Sequence, residues 1–378
     1  MSEWKTYKLG ELATIKGGKR LPKGVLLQST PNSHPYIRIR DLGKTRILEL
    51  DSTYEYVDDL TQKSIARYIV EKGDILLSIV GTIGLVGIVG ESLHLANQTE
   101  NCVKLINLNK VDRLYLYYYL SSKIGQIEIH KGIVGAVQAK LPIKNIENIE
   151  ISLPPLAEQK RIADILSAID DKIELNRRIN ANLEQQAQAL YKSWFVDNKK
   201  DDWEEVELGD IATILAGGDK PEIYVEKQTD DCKVPIYSNG IDNEGLFGYT
   251  RCAKIYEHSI TISARGTIGF VCLRTEPYVP IVRLISVIPQ YNNLSAEYLY
   301  LWAITQNISG TGTTQQQLTI PYFKKTKIII PNQELLIKFN KVISPIFITL
   351  KKNKTEIYNL SNLRDTLLPK LMSGEIKV

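Results

Sequence analysis

Sulfur and imidazole are scarce in this chain, and what little there is lies scattered. Its 378 residues hold four cysteines (Cys102, Cys232, Cys252, Cys272) without a C-x-x-C pair. Its four histidines (His34, His94, His130, His258) show no H-E-x-x-H or other ligand spacing. A disulfide framework and a zinc site are thereby set aside, and a reducing cytoplasm is the expected compartment. No apolar run reaches the roughly 18–20 residues of a membrane-spanning helix. The opening MSEWKTYKLGEL has an early acid and no apolar stretch of the secretory kind, so no membrane association is expected. Catalytic signatures are missing too. There is no N-P-P-Y or D-P-P-Y for adenine methylation, no P-loop, no P-D…(D/E)-x-K cluster and no G-x-S-x-G elbow. Nor is one sign of charge in excess: 47 Lys+Arg stand against 43 Asp+Glu, a net +4. Affinity for nucleic acid has to come from local clusters. Together these absences point to a protein that binds without catalysing and carries no cofactor or metal of its own.

What the chain does have is a repeat. Trp4-x4-Leu9-Gly10-x2-Ala13-Thr14-Ile15 returns as Trp203-x4-Leu208-Gly209-x2-Ala212-Thr213-Ile214, Gly81-Thr82-Ile83-Gly84 as Gly266-Thr267-Ile268-Gly269, and Gly135-x2-Gln138-x2-Leu141 as Gly312-x2-Gln315-x2-Leu318. The offset falls from 199 to 185 to 177, then stays constant to the end of the second copy. A shared frame therefore carries inserts of different length, the pattern of one reader tuned to two targets.

Each copy ends in a helical signature. Residues 156–197 lack proline and glycine and are rich in Ala, Leu, Gln, Glu and Arg. Positions 162, 166, 169, 173, 176, 180, 183, 187, 190 and 194 alternate steps of four and three, which makes a heptad seam, and adding 177 gives a second seam beginning at Phe339. Asn176 and Asn353 share one seam position near the middle of their helices, where facing each other they would fix register. Pro345 is expected to kink the second helix or delay its start. If the second globular domain has its chain ends close together, the helices run antiparallel, and about 42 residues at ~1.5 Å each make a spacer of roughly 60 Å. An intermolecular coiled coil is the alternative.

The expected architecture is α+β: two mixed α/β domains (1–153 and 203–330) separated by two long antiparallel helices (154–198 and 332–378) in a coiled coil, with a pseudo-two-fold internal repeat. In both domains the order strand, GTIG, strand predicts a hairpin. Without Gly-Lys-Ser/Thr or a following helix, the glycines do not make a nucleotide loop. Candidate DNA contacts in the first copy are Lys16, Lys19, Arg20 and Lys23, then Arg38, Arg40, Lys44 and Arg46, with Thr82 of the turn. In the second they are Lys220, Arg251, Arg265, Arg274 and Arg283, with Thr267. Arginine and lysine are the commonest partners of guanine edges and phosphates. Gln138, Thr313 and Gln315 lie in the Gly-x-x-Gln segments. Because Gln138 and Gln315 recur, they suit frame or phosphate contacts better than base reading. A coiled-coil scaffold with two peptide-binding or protein-binding domains is the competing reading of the same pattern.

The repeated W…LG(E/D)(L/I)ATI opening, the GTIG hairpins and Asn97-Gln98 resemble the target-recognition domains of Type I restriction–modification specificity subunits. The stretch LPPLAEQKRIADILSAIDDKIELNRRINANLEQQAQALYKSWFVD is similar to that family's central region, and NLRDTLLPKLMSGEI to its C-terminal one. The second copy departs from the pattern, with Pro280-Ile281-Val282-Arg283-Leu284-Ile285 where the first has Asn-Gln. The resemblance implies double-stranded DNA as ligand, each domain reading one half of a bipartite site. It implies two methyltransferase (modification) subunits as partners and a restriction/translocase subunit that can join them. S-adenosylmethionine, ATP and magnesium would then sit on those partners. Partner contacts are expected along 158–197 and 334–375.

Overall fold

Continuous apolar runs make the innermost strands. The computed structural model describes residues 4–135, 137–306, 308–309 and 316–378. It divides into two units, Met1–Arg177 with Lys354–Val378, and Arg178–Asn353. In the first, all four residues of Ile75–Ser78 (ILLS) are buried, as in a strand covered on both faces. That strand is the middle of a five-stranded sheet ordered Thr14–Gly17, Cys102–Ile106, Ile75–Ser78, Val86–Val89, Ile47–Leu48. Neighbours are antiparallel except the last pair. Glu55–Tyr56, Pro35–Ile37 and Asn97–Gln98 form a small second sheet. Lys5–Lys8 closes the unit against Glu150–Leu153. Helix Arg113–Ser121 starts where the Asp112 carboxylate accepts the Tyr115 N–H at 3.0 Å. Its Tyr115, Leu116 and Leu120 join Leu9, Leu12, Leu77 and Ile151 in the core, which also takes in Leu371 and Met372.

The second unit repeats the first four strands of this order. Ala212–Ala216, Leu284–Pro289, Ser259–Ser263 and Val271–Arg274 form its main sheet, and Leu246–Thr250, Val234–Tyr237 and Val279–Pro280 the smaller one. Glu204–Glu207 pairs with Lys327–Ile330 as Lys5–Lys8 does with Glu150–Leu153. Val279-Pro280 lies parallel to Val234–Tyr237, the place Asn97-Gln98 holds beside Pro35–Ile37. The unmatched second copy thus keeps the geometry of the first with other side chains.

The central helix runs from Leu156 to Tyr191, with a π turn over Lys192–Asp197, and the C-terminal helix from Gln333 to Met372. All ten seam positions of each helix are buried or half-buried. Within the first unit Arg364 Nη1 donates to Asp170 Oδ1 at 2.9 Å, and Lys172 Nζ lies 3.6 Å from Glu356 Oε2. Within the second, Asn353 meets Asn180 while Phe339 meets Trp194, ring centroids 5.7 Å apart. In each unit one number rises as the other falls, so the paired segments are antiparallel.

Two helix expectations change. The asparagines send their amides elsewhere: Asn176 Nδ2 donates to Glu356 Oε2 at 2.8 Å, and Asn353 Nδ2 to Asn180 Oδ1 at 2.9 Å. Each bond is therefore shifted about one turn along the partner helix from the expected pairing. Pro345 does not delay the second helix, which begins at Gln333. It lies on an exposed face, where water can satisfy the carbonyl its missing N–H leaves free.

The way each unit grips its helices also differs. In the first, Tyr118 OH accepts from Arg46 Nη1 at 3.1 Å and donates to Asp170 Oδ2 at 2.7 Å. Arg46 also pairs with Asp171, and Arg364 reaches Asp170. In the second, the grip is aromatic: Phe195 to Phe339 at 4.8 Å, Phe195 to Tyr298 at 5.0 Å and Tyr191 to Tyr298 at 5.4 Å. Arg46, a candidate DNA contact by sequence, is thus a half-buried structural arginine.

Candidate nucleic-acid interface

The GTIG hairpin forms in both units. Ile75, Leu76 and Leu77 pair with Ile88, Gly87 and Val86, and Ile260, Thr261 and Ile262 with Leu273, Cys272 and Val271. Its glycines are required by geometry: φ is +75° at Gly81, +94° at Gly84, +75° at Gly266 and +82° at Gly269. A Cβ on Gly84 would also stand 2.5 Å from Gln126 Oε1, and one on Gly269 2.9 Å from the Ile308 carbonyl oxygen. Ser78 Oγ locks the first turn, donating to Thr82 O at 2.6 Å and accepting from Leu85 N at 2.8 Å. In the second, Thr267 Oγ1 donates to Asn239 O at 2.8 Å.

The leucine that follows each Gly-x-x-Gln motif bonds to this hairpin. Leu141 N donates to Ile79 O at 2.9 Å, and Leu318 N to Ala264 O at the same distance. In the first unit Val134 and Lys140 close a small loop by two bonds of 2.9 Å, and Gln138 is exposed within it. Gly135 turns the loop with φ +94°. Thr313 and Gln315 lie outside the described residues.

Beside the first turn is a groove of about 1300 Å³ whose walls include Arg20, Lys23, Arg38, Arg40, Tyr36, Glu55, Thr82, Glu100 and Asn101. Four cations face two carboxylates there. Arg20 Nε is 3.7 Å from Glu100 Oε1, while Arg38 and Arg40 both turn to Glu55. Burial pushes the Tyr36 phenol up to about 12, so it stays a neutral hydroxyl. Of the sequence candidates, Arg20, Lys23, Arg38, Arg40 and Thr82 are brought together here. Lys16 stays apart, exposed on strand Thr14–Gly17, and Lys19 lies 5.8 Å from the Tyr68 ring centroid.

In the second unit Lys220 sits 4.3 Å over the Tyr224 ring, itself 5.5 Å from Phe247. Arg251 Nη2 is 3.6 Å from Asp231 and exposed. Arg265 adjoins the GTIG turn, where its carbonyl accepts from Asn239 Nδ2 at 2.8 Å. Arg274 is a correction. It is buried, stacked 3.5 Å over Tyr237, and its Nε donates to Thr261 Oγ1 at 2.9 Å, so no duplex can reach it. Sequence reasoning missed Glu55, whose setting Ser-Thr-Tyr-Glu-Tyr gives no motif, and the Tyr224–Phe247 pair, joined only by the fold. Among the described residues no cluster of three or more His, Cys, Asp or Glu could hold a metal, and no helix is long and apolar enough to cross a membrane.

Two copies of a domain built on the glycine-turn hairpin, each packed within its own unit against segments of the long helices, define a duplicated recognition protein. The model of the Type I restriction modification DNA specificity domain matches residues 1–185 and 200–363, and the chain belongs to that family. It is similar to the Type I restriction enzyme MjaIX specificity subunit of Methanocaldococcus jannaschii, 27% identical over all of this chain and 94% of that one. A putative type I specificity subunit of Mycoplasma pneumoniae is 31% identical over 95% of this chain and 94% of its own length. The crystal structure of the S subunit from M. genitalium superposes with a TM-score of 0.65 at 20% identity, covering 98% of this chain and 96% of that one. That likeness is one of fold. As a DNA specificity subunit, the chain is a non-catalytic component of a type I system.

Proposed function

We propose that the two units read the two halves of one interrupted DNA site, and that the paired helices set the spacer and recruit two methyltransferase subunits. The observation carrying this reading is the bond from Leu141 to Ile79, repeated from Leu318 to Ala264. It ties the equivalent leucine to the same glycine turn while the side chains around the turns differ. A preserved frame with altered surroundings is what two readers of unlike sequences need. The helices support the partner role: Ile165, Leu175, Ile179, Ile348 and Leu363 are exposed apolar residues along them, in the stretches expected to meet other helices. S-adenosylmethionine, ATP and magnesium then act on the partners, with a restriction/translocase subunit joining the complex. The test is DNA binding by the full chain. Sequence-specific binding that falls steeply with salt is expected, and methyl transfer only when a modification subunit is added. Methyl transfer by the chain alone, or binding with neither salt nor sequence dependence, would refute the proposal.

A further inference from the structure

Glu55 is an unusual wall for a groove meant to meet a polyanion, and its position narrows what the groove can read. Arg38 follows strand Pro35–Ile37 and opens a 3-10 turn, with its N–H donating to Asp41 Oδ2 at 2.7 Å and its carbonyl accepting from Asp41 N at 3.0 Å. Its backbone is held from both sides. Glu55 stands opposite on the paired strand, in register with Tyr36.

The bonds are unevenly distributed. Arg38 Nη1 and Arg40 Nη2 both donate to Glu55 Oε2, the latter at 2.9 Å, and Arg40 Nη2 also donates to Thr53 O at 2.9 Å. Among the described residues, the Nε–Nη2 edge of Arg38 and the Oε1 oxygen of Glu55 make no bond. Side-chain exposure is 41% for Arg38 and 27% for Glu55. One bidentate donor edge and one acceptor therefore remain on two adjoining, partly exposed residues that line the groove.

A phosphate fits this pair badly, since the carboxylate repels it. A G·C base pair fits it well. In the major groove it presents guanine O6 and N7 as acceptors next to the cytosine N4 amino donor. The bidentate edge of Arg38 complements the first and Glu55 Oε1 the second. An A·T pair offers a donor at adenine N6 where Arg38 needs an acceptor. We propose, resting on the DNA-reading function above, that Arg38 and Glu55 specify a G·C pair in the half-site read by the first unit, with Arg40 as the positioning residue that anchors Glu55.

The test uses the full chain and a duplex library randomised across the site, comparing wild type with Arg38→Ala, Glu55→Gln and the charge-preserving Glu55→Asp. Thermal midpoints check that each variant folds. Wild type should demand G·C at one position of one half. Arg38→Ala and Glu55→Gln should weaken that preference roughly 10- to 100-fold, leave the other half and the salt slope unchanged, and Glu55→Asp should restore part of it. Unaltered preferences in both variants, with wild type still specific, would overturn this assignment and leave the DNA-reading function standing. A uniform loss over all sequences with a shallower salt slope would place the arginines on phosphate and also overturn it. Wild type without base preference in either half would remove both.

Discussion

Arg364 donates from Nη1 to Asp170 Oδ1 at 2.9 Å, a charge pair on the seam of the antiparallel helices in the first unit. Asp170 also accepts from Tyr118 OH at 2.7 Å, so the carboxylate ties helix, helix and recognition domain together. Arg364→Ala leaves a mostly buried carboxylate with one neutral donor. We expect a loss of about 1–3 kcal/mol, below the range for fully buried pairs because Arg364 is partly exposed. Urea unfolding of wild type and variant measures it, and an unchanged midpoint would deny the pair its structural role.

The glycine turns give a second prediction. Gly84→Ala and Gly269→Ala each force a side chain into φ near +90° and against a neighbour, at about 1–2 kcal/mol from backbone strain alone. Gly269→Ala should be the more damaging in contact terms, because its clash is with the Ile308 carbonyl whereas Gln126 can swing away. Gly266→Ala meets nothing closer than 3.6 Å and should show the backbone strain only. Thermal midpoints of the three variants rank these effects.

Asn353 and Asn180 form a third test. Asn353→Leu alone strands the Asn180 amide at the seam and should cost about 1–3 kcal/mol. Asn180→Leu with Asn353→Leu should recover most of that loss, since two apolar residues at a seam pack without unmet bonds. A double-mutant cycle reading zero coupling would show that the bond does not matter.

The spacer role is tested by length. Seven residues added to each helix, after Arg177 and after Asn353, keep the heptad register and add ~10 Å, about three base pairs. The gap between half-sites should widen accordingly in the selected DNA. An unchanged gap would end the idea that the helices measure distance.

The features legible in the sequence were those set by local pattern or repetition. The seam of ten positions is a heptad rule, and GTIG demands a turn because two glycines three residues apart sit between apolar runs. What escaped were pairings over long range. Arg274 reads as a surface cation until Tyr237, 37 positions earlier, is seen to lie under it. Glu55 reads as one acid among many until two arginines converge on it. Pro345 breaks an isolated helix, whereas here it lies on an exposed face and the helix runs on from Gln333 to Met372.

The unlike grips on the helices carry a physiological consequence. A charged clasp of Arg46, Asp170, Asp171 and Arg364 is loosened by ionic strength and holds comparatively well on warming. The ring cluster of Tyr191, Phe195, Tyr298 and Phe339 ignores salt and weakens on cooling. Salt should therefore weaken the clasp of the first unit more than the ring cluster of the second, whereas cooling weakens the apolar packing of both, Ile162 and Leu166 included.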